Sequence, residues 1–398
     1  MGKTHREHRV FLKDVLISSL SAFGGPQSHM AVFLEQMVKK KKYLSEEELI
    51  ELMALCSMLP GPTSTQTIVS MGYKQGGPVL AGLTMIVWAL PILLIMGALS
   101  FAFVLAEHFT QFHTLLRYIG PMAVGFLLAA AFTIGRKVVK DRFTALLLII
   151  SASLTFFFRA PWLFPLVLIA GGVAEVLRHK SKNPGAPLIN KVEIRPQWTY
   201  LVLFLLLVVL SLLLRNLTHH PLVIIFESFY RYGYLVFGGG QVVIPMMVSE
   251  LVEIQQFMTA EEFLAGYGFV QGLPGPMFSF SAFAGGLAGR NGGVVQQILG
   301  ALLGGVGIFL PGLLLIYFFY PLWEDLKKIG GIKIALTGIN AAAGGLLVSA
   351  VPLMLMKTGL EPVNLAVTLL TFLVLKFTKL PAPLWVLLTL AAGFMVGR

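Results

Sequence analysis

Two short stretches hold the residue types that chemistry needs within an otherwise apolar chain. "LPGPTSTQ" covers Leu59–Gln66 and "LPGPMFSF" covers Leu273–Phe280. Pro60 lacks an N–H and clashes with the turn before it, so it ends a helix. The proline also pushes Leu59 toward extended geometry. Gly61 near the cap and Pro62 at the first helical position then suit a new helix. A helix that restarts there presents three or four free N–H groups and a partial positive charge to whatever lies ahead. With hydroxyl and amide donors in its first turn, it is equipped to hold an anion without a buried Lys or Arg. Gly61, Thr63, Ser64, Thr65 and Gln66 are therefore candidate ligands. Gly275, Ser279 and Ser281 are their counterparts in the second stretch, where Met277 and Phe278 replace Thr63 and Ser64. The first set is expected to carry more of the polar contact.

A second pair of motifs, "FGGPQ" from Phe23 and "FGGGQ" from Phe237, divides two further helices. Gly24, Gly25, Gly239 and Gly240 either line the site or simply let helices cross closely. Gln27 and Gln241 recur at the same place, and an amide in a membrane needs a partner, so both are candidates to face the substrate. His29 is a candidate proton relay, although Val243 stands at the matching position and a satisfied histidine near the interface is the more ordinary reading. Lys74 and Arg290 follow the restarting helices, as anion-attracting mouths or as interfacial anchors. Glu35 and Glu250 are near-equivalents expected close to a membrane surface. Enzyme chemistry has no foothold: HExxH, P-loop and GxSxG motifs are missing, and the aspartates are Asp14, Asp141 and Asp325, all near segment ends. Cys56 is the single cysteine, so neither a disulfide within the chain nor a cysteine metal cluster is expected, and no cofactor or metal site is read.

The elements that position these residues are membrane helices. The chain is 56% hydrophobic and 12% charged, with a mean hydropathy of +0.81, against about 25% charged residues in soluble domains. Apolar runs at Val79–Leu105, Ala145–Phe158, Tyr200–Leu214 and Leu299–Tyr320 suit a bilayer. The net charge of +11 lies mostly in short loops, the pattern of the positive-inside rule rather than of a nucleic-acid surface. The basic opening "MGKTHREHR" is followed by no compact apolar core with a small-residue cleavage site, so no cleaved signal is expected.

An internal repeat organises the helices. One offset of 214 residues aligns FGGPQ with FGGGQ and both LPGP motifs, and eleven of forty positions from Phe23 to Pro62 are identical to their counterparts. "LSEEEL" (Leu44–Leu49) aligns with "MTAEEF" (Met258–Phe263), and "GPMAVGFLL" (Gly120–Leu128) resembles "NAAAGGLLV" (Asn340–Val348). The expected domains are 1–180 and 222–398, joined by 181–221, which adds the unmatched apolar segment Trp198–Leu214. One extra crossing inverts the second unit relative to the first, a common transporter architecture. Charge fits: "KKKK" (Lys39–Lys42), Lys74, "RKVVKDR" (Arg136–Arg142) and "RHKSK" (Arg178–Lys182) would face the cytoplasm, and Glu250, Glu253, Glu261 and Glu262 the outside. Arg159, Arg215, Arg231, Arg290 and Lys357 are exceptions. The expected fold is an all-α polytopic membrane protein, an inverted repeat of two helical units with broken, re-entrant hairpins and one joining helix. Glu46–Leu59 and Thr63–Tyr73, at roughly 21 and 16 Å, are too short to span. Interrupted backbone at that depth survives only where protein buries it or where it lines a polar cavity.

Together, "FGGPQSHMAVF", "LSEEELIELMALCSMLPGPTSTQTIVSMGYKQGG", "FGGGQVVIP", "AEEFLAGYGFVQGLPGP", "GIFLPG" and "GINAAAGGLL" resemble the chromate ion transporter family in its long-chain, two-domain form, over nearly the whole chain. The resemblance implies a bacterial inner-membrane carrier for chromate, usually an exporter conferring resistance, with sulfate as the competing analogue and two homologous domains of opposed orientation. A dianion leaving an inside-negative cell gains roughly 4.6 kcal/mol per 100 mV, so export needs no coupling ion. Expected partners are a chromate- or sulfate-type oxyanion and the lipid bilayer, with a second copy of the chain as a further candidate. A carrier or channel for sulfate or another small solute is the alternative reading.

Overall fold

In a computed structural model the described residues are 5–24, 26–106, 109–158, 160–182, 196–237, 240–326 and 330–396. Among them there is no strand. The first unit runs α1 (His5–Ser21), α2 (Pro26–Phe33), α3 (Glu46–Met58), α4 (Thr63–Ala106), α5 (Thr110–Leu116), α6 (Ile119–Val138), α7 (Arg142–Phe157) and α8 (Leu163–Lys182). The joining helix is α9 (Trp198–Thr218). The second unit runs α10 (Pro221–Leu235), α11 (Ile244–Met247), α12 (Ala260–Gln271), α13 (Phe280–Gly289), α14 (Gly293–Phe319), α15 (Trp323–Leu326), α16 (Gly330–Thr358), α17 (Pro362–Phe377) and α18 (Ala382–Val396). Among the described residues, five helical stretches are long and apolar enough to cross a membrane.

The duplication is visible in backbone detail. α2 continues into a π-helical turn at Leu34–Lys40, and α11 into another at Val248–Ile254, at the same offset. Each π turn is followed by a non-glycine residue with positive φ, Lys42 at +53° and Gln256 at +51°. α3 and α12 each open on a capping box, Ser45 with Glu48 and Thr259 with Glu262, which satisfies two N-terminal donors reciprocally. The restarting half-helix of the first unit runs on to Gln75, two residues beyond the expected Tyr73, because the break falls at Gly76 and Gly77 within α4. In the second unit the same break separates α13 from α14, and Gly293 (φ +82°) stands where the first has Gly77 (φ +71°).

The two units are interleaved rather than side by side. α6 packs on α17, and α16 on α7 and α8. A Cβ on Gly125 would lie 2.5 Å from Thr371 Cβ, and one on Gly345 would lie 2.3 Å from the Leu148 carbonyl. These are matching crossings, each needing a bare glycine for the backbones to approach. α4, α13 and α14 form the other half of the core, and α9 packs on α10 and α14 with most of its surface exposed.

Candidate functional site

The first break is built as its proline spacing dictates. Leu59 caps α3 in extended geometry, Gly61 has φ +129°, and α4 restarts at Thr63. Gln66 folds back on the turn, and its Nε2 donates to the Pro60 carbonyl at 2.9 Å. That contact fixes the amide orientation, because a carbonyl only accepts. Ser64 meets His29 of α2, with Nδ1 to Oγ at 3.0 Å. The Trp88 indole donates to Thr65 Oγ1 at 3.2 Å, while Ser19 of α1 donates to the Trp88 carbonyl at 2.7 Å. The His29 ring stands edge-on to Trp88, centroids 5.4 Å apart. His29, Ser64, Thr65, Gln66 and Trp88 are all buried.

The second break repeats the positive-φ glycine but restarts through a 3-10 turn, and its side chains differ. Gly275 has φ +87°, and a tight turn at Met277–Ser279 leads into α13. Met277, Phe278 and Phe280 line a small apolar cavity with Val243, Ile244, Met247 and Tyr267. The position matching His29 is thus a valine on an apolar wall. Ser279 and Ser281 are fully buried.

Two hydrogen bonds lock the breaks across the units. Gly61 N–H donates to the Val236 carbonyl at 2.9 Å, and Gly275 N–H donates to the Ala22 carbonyl at 2.7 Å. Gly61 and Gly275 are repeat equivalents, and so are Ala22 and Val236, so each LPGP turn is tied to the residue just before the other unit's FGG motif. Reciprocal contact of this kind is what a two-fold relation produces. The longer helices follow the same rule: Gly312 of α14 sits against Pro62 and Gln66, and Ile92 of α4 sits against Gly275. A Cβ on Gly61 would lie 2.5 Å from Gln66 Nε2, and one on Gly275 would lie 2.7 Å from Ile92 Cγ1.

The junction leaves polar atoms unmatched. His29 Nε2, Gln66 Oε1, Ser279 Oγ and Ser281 Oγ are buried without a hydrogen-bond partner. A buried polar group left unpaired costs about 1–3 kcal/mol, so four around the two breaks mark a place that a polar ligand or water would stabilise.

Other candidates fall as follows. Gly24 holds a left-handed turn (φ +83°) at the end of α1, and Gly240 opens a short 3-10 turn before α11. Gly25 and Gly239 lie outside the described residues, as do the side chains of Gln27 and Gln241. Lys74 and Arg290 are ion-paired rather than free: Lys74 with Glu48 and Arg290 with Glu262. Each basic residue thereby ties the end of a restarting half-helix to the capping carboxylate of the short helix before it.

One cluster was not anticipated as a unit. Glu35 is exposed, as expected at a surface, but Glu250 is 1% exposed. Arg231 Nη2 lies 2.7 Å from Glu250 Oε2, Arg215 Nη1 lies 2.8 Å from Oε1, and the Tyr232 hydroxyl donates to Oε2 at 2.8 Å. Glu227 completes the cluster by pairing with Arg231 and Arg215. The signal was available: Arg215 and Arg231 both break the charge asymmetry of the loops, and Glu227 precedes Arg231 by one helical turn.

A family model described as chromate transporter matches the chain twice, at residues 10–176 and 223–395. A chromate transport protein of Cupriavidus metallidurans is 24% identical, across 96% of this chain and 92% of that protein. A chromate transport protein of Pseudomonas aeruginosa is 27% identical, across 82% of this chain and 76% of its own length. An uncharacterised transporter of Methanocaldococcus jannaschii is 24% identical, across 94% and 91%. No solved structure matches the chain.

Proposed function

The chain belongs to the chromate transporter family, and we propose that it carries a sulfate-like tetrahedral oxyanion, chromate first, outward across the cytoplasmic membrane. The observation that carries this reading is the reciprocal seating of the two LPGP breaks, Gly61 on Val236 and Gly275 on Ala22, with unpaired buried polar atoms around them. A broken helix in each unit, interlocked with its counterpart, puts free N–H groups and hydroxyls where two halves of a carrier meet. Because each half of the core mixes helices of both units, movement of the α4, α13 and α14 half against the α6, α7, α8, α16 and α17 half would then open the junction to each side in turn.

Thr63, Ser64, Thr65 and Gln66 supply most of the donors, and Ser279 and Ser281 close the site from the second unit. Gly61 and Gly275, expected as ligands, shape the turns instead, because their N–H groups are spent on the Val236 and Ala22 carbonyls. The inverted orientation of 222–398 relative to 1–180 supplies alternating access, and α9 is the crossing that produces it. Export follows from electrostatics, because an inside-negative potential drives an anion outward. Resistance to chromate in the cell would be the consequence.

Flux into proteoliposomes under an imposed potential tests the reading. Purified protein should carry labelled chromate down its gradient, faster when the potential favours the anion, with sulfate competing. The double variant Ser64→Ala and Thr65→Ala should lower the rate or raise the apparent KM. Absence of chromate flux from folded protein, or flux of cations instead, would overturn it.

A further inference from the structure

A dianion at this junction faces an electrostatic problem that the structure poses directly. An ionised group moved into a low-dielectric interior must be paired or neutralised. The first turn of α4 offers hydroxyls, an amide and a helix N-terminus worth about half a positive charge. Lys74 and Arg290, the cations nearest in sequence to the restarting half-helices, are committed to Glu48 and Glu262. The titratable group that the described residues place at the break is His29, 1% exposed, with Nδ1 on Ser64 and Nε2 without a partner. The Ala22 carbonyl, the acceptor of the Gly275 cross-unit bond, lies against the same ring. His29 therefore touches both the polar first turn of one unit and the seat of the other unit's break.

Resting on the oxyanion reading above, we propose that each oxyanion binds together with one proton, taken up at His29, and that the carrier moves the two together. The proton supplies the positive charge that the junction lacks. Whether it sits on Nε2 or on the oxyanion oxygen facing it, the translocated charge falls from two to one. The surroundings make His29 the responsive group. The elements packed against α2 are α1, α4 and the π turn Leu34–Lys40. From α4 the ring meets Ser64 and Trp88, and from α1 the Ala22 carbonyl, none of which is charged. The ionisable groups on those elements are engaged elsewhere or exposed. Asp14 of α1 holds Lys41 at 3.0 Å and the Tyr43 hydroxyl at 2.6 Å. Lys74 of α4 is paired, and Glu35 of the π turn is exposed beside Lys39 and Lys40. On α1, His5, Arg6, Glu7, Arg9 and Lys13 are exposed and His8 is half-buried. The second unit carries Val243 at this position, so a single proton is expected per oxyanion.

Two measurements on the full-length protein in proteoliposomes test the coupling, at pH values where chromate is fully ionised. With the potential clamped at zero, a chromate gradient should move protons in the same direction, read by a trapped pH dye. The reversal potential should report one net charge per chromate. The apparent affinity for chromate should rise about tenfold per unit of acidification, the slope of one linked proton. His29→Gln, a donor that cannot take a charge, should carry whatever chromate it still moves as two charges, without proton movement and without the pH slope. Two charges per chromate in the unaltered protein, or proton movement persisting in His29→Gln, would overturn the coupling and leave the oxyanion reading standing. Absence of chromate flux in the unaltered protein would instead overturn the oxyanion reading itself. A His29→Gln variant that fails to fold leaves the charge count of the unaltered protein decisive.

Discussion

Replacing Glu250 by Gln keeps the size of the side chain and most of its hydrogen-bonding atoms but removes one charge from a buried cluster. As built, the cluster is neutral: Arg215 and Arg231 against Glu227 and Glu250, with both carboxylates 1% exposed and the arginine side chains 22% and 15% exposed. Glu250 accepts from Arg215, Arg231 and Tyr232 and lies 3.2 Å from Ser228 Oγ. With Gln there, two guanidinium groups share one carboxylate, and a net positive charge stays buried. Breaking a buried pair by removing one partner costs about 3–5 kcal/mol, much of it the stranded charge. With the unfolding entropy per residue of soluble proteins, a 398-residue chain would lose about 4–6 °C in Tm. Thermal unfolding of the purified protein in one detergent reads this directly. The pair Arg231→Gln with Glu250→Gln should cost clearly less than the sum of the single changes, because neutrality is restored. A Glu250→Gln variant within 1 °C of the parent, or additive costs in the double variant, would refute the claim that this cluster is a charge-balanced unit.

Four shorter predictions follow from other contacts. Gly61→Ala and Gly275→Ala force a side chain into left-handed backbone and against Gln66 or Ile92, so each should cut chromate flux strongly while Gly135→Ala, which has open space for a Cβ, leaves it unchanged. Arg290→Gln strands Glu262, whose side chain is 5% exposed, whereas Lys74→Gln leaves Glu48 at 45% exposure; the Arg290 change should lower Tm by several times more in the same assay. Asp141 caps α7, and the Arg178 guanidinium, then the Thr144 N–H, hold its carboxyl well below the usual carboxylate range. A lowered value in the fold means that its contribution is present above the ordinary carboxylate range and is lost as pH falls through the lowered value. Asp141→Asn should therefore reduce Tm at neutral pH and converge with the parent in strong acid. With Cys56 replaced by Ser, single cysteines at Lys41 and Gln255, equivalent sites after the two π turns, should react with a membrane-impermeant thiol reagent from opposite sides. Labelling from the same side would sink the inverted arrangement.

Proline and glycine made the breaks legible, because their effect on the backbone is local. Pro60, Gly61 and Pro62 dictate a stop, a turn and a restart whatever surrounds them, and the turn at Leu59–Pro62 has that form. The capping boxes are local in the same way, as Ser45 to Glu48 and Thr259 to Glu262 are three-residue matters, although those stretches were read above only as repeat markers. What periodicity could not show was which carbonyl each turn would meet. The Gly61–Val236 and Gly275–Ala22 bonds join residues far apart in sequence, and no pattern within either segment encodes the partner. Trp88 was missed likewise: it lies in an apolar run, and only packing turns its indole toward Thr65. The π turns were equally hidden, since their sequences LEQMVKK and VSELVEI share little, yet the backbone takes the same path in both.

That last contrast bears on how the duplicated fold came to be asymmetric in chemistry. Backbone features recur at matched positions: positive φ at Lys42 and Gln256, at Gly61 and Gly275, and at Gly77 and Gly293. Side chains at the same positions do not. His29 faces Ser64 in one unit, where the other has Val243 beside Met277 and Phe278. The ion cluster around Glu250 has Gln36 at the matching place in the first unit. A reciprocal backbone lock needs both copies to keep the same path, because a shift in either turn breaks a bond in the other. The side chains carry no such mutual constraint, so one break can hold the titratable, hydroxyl-rich contacts while its partner supplies an apolar wall. An apolar wall opposite the ligand excludes water and strengthens the few polar contacts that remain. The physical expectation is an unequal division of labour. Ala substitution at Ser64 or Thr65 should raise the apparent KM for chromate several-fold more than Ala at Ser279 or Ser281. Equal effects on the two sides would mean that the oxyanion sits on the pseudo-two-fold axis rather than toward α4.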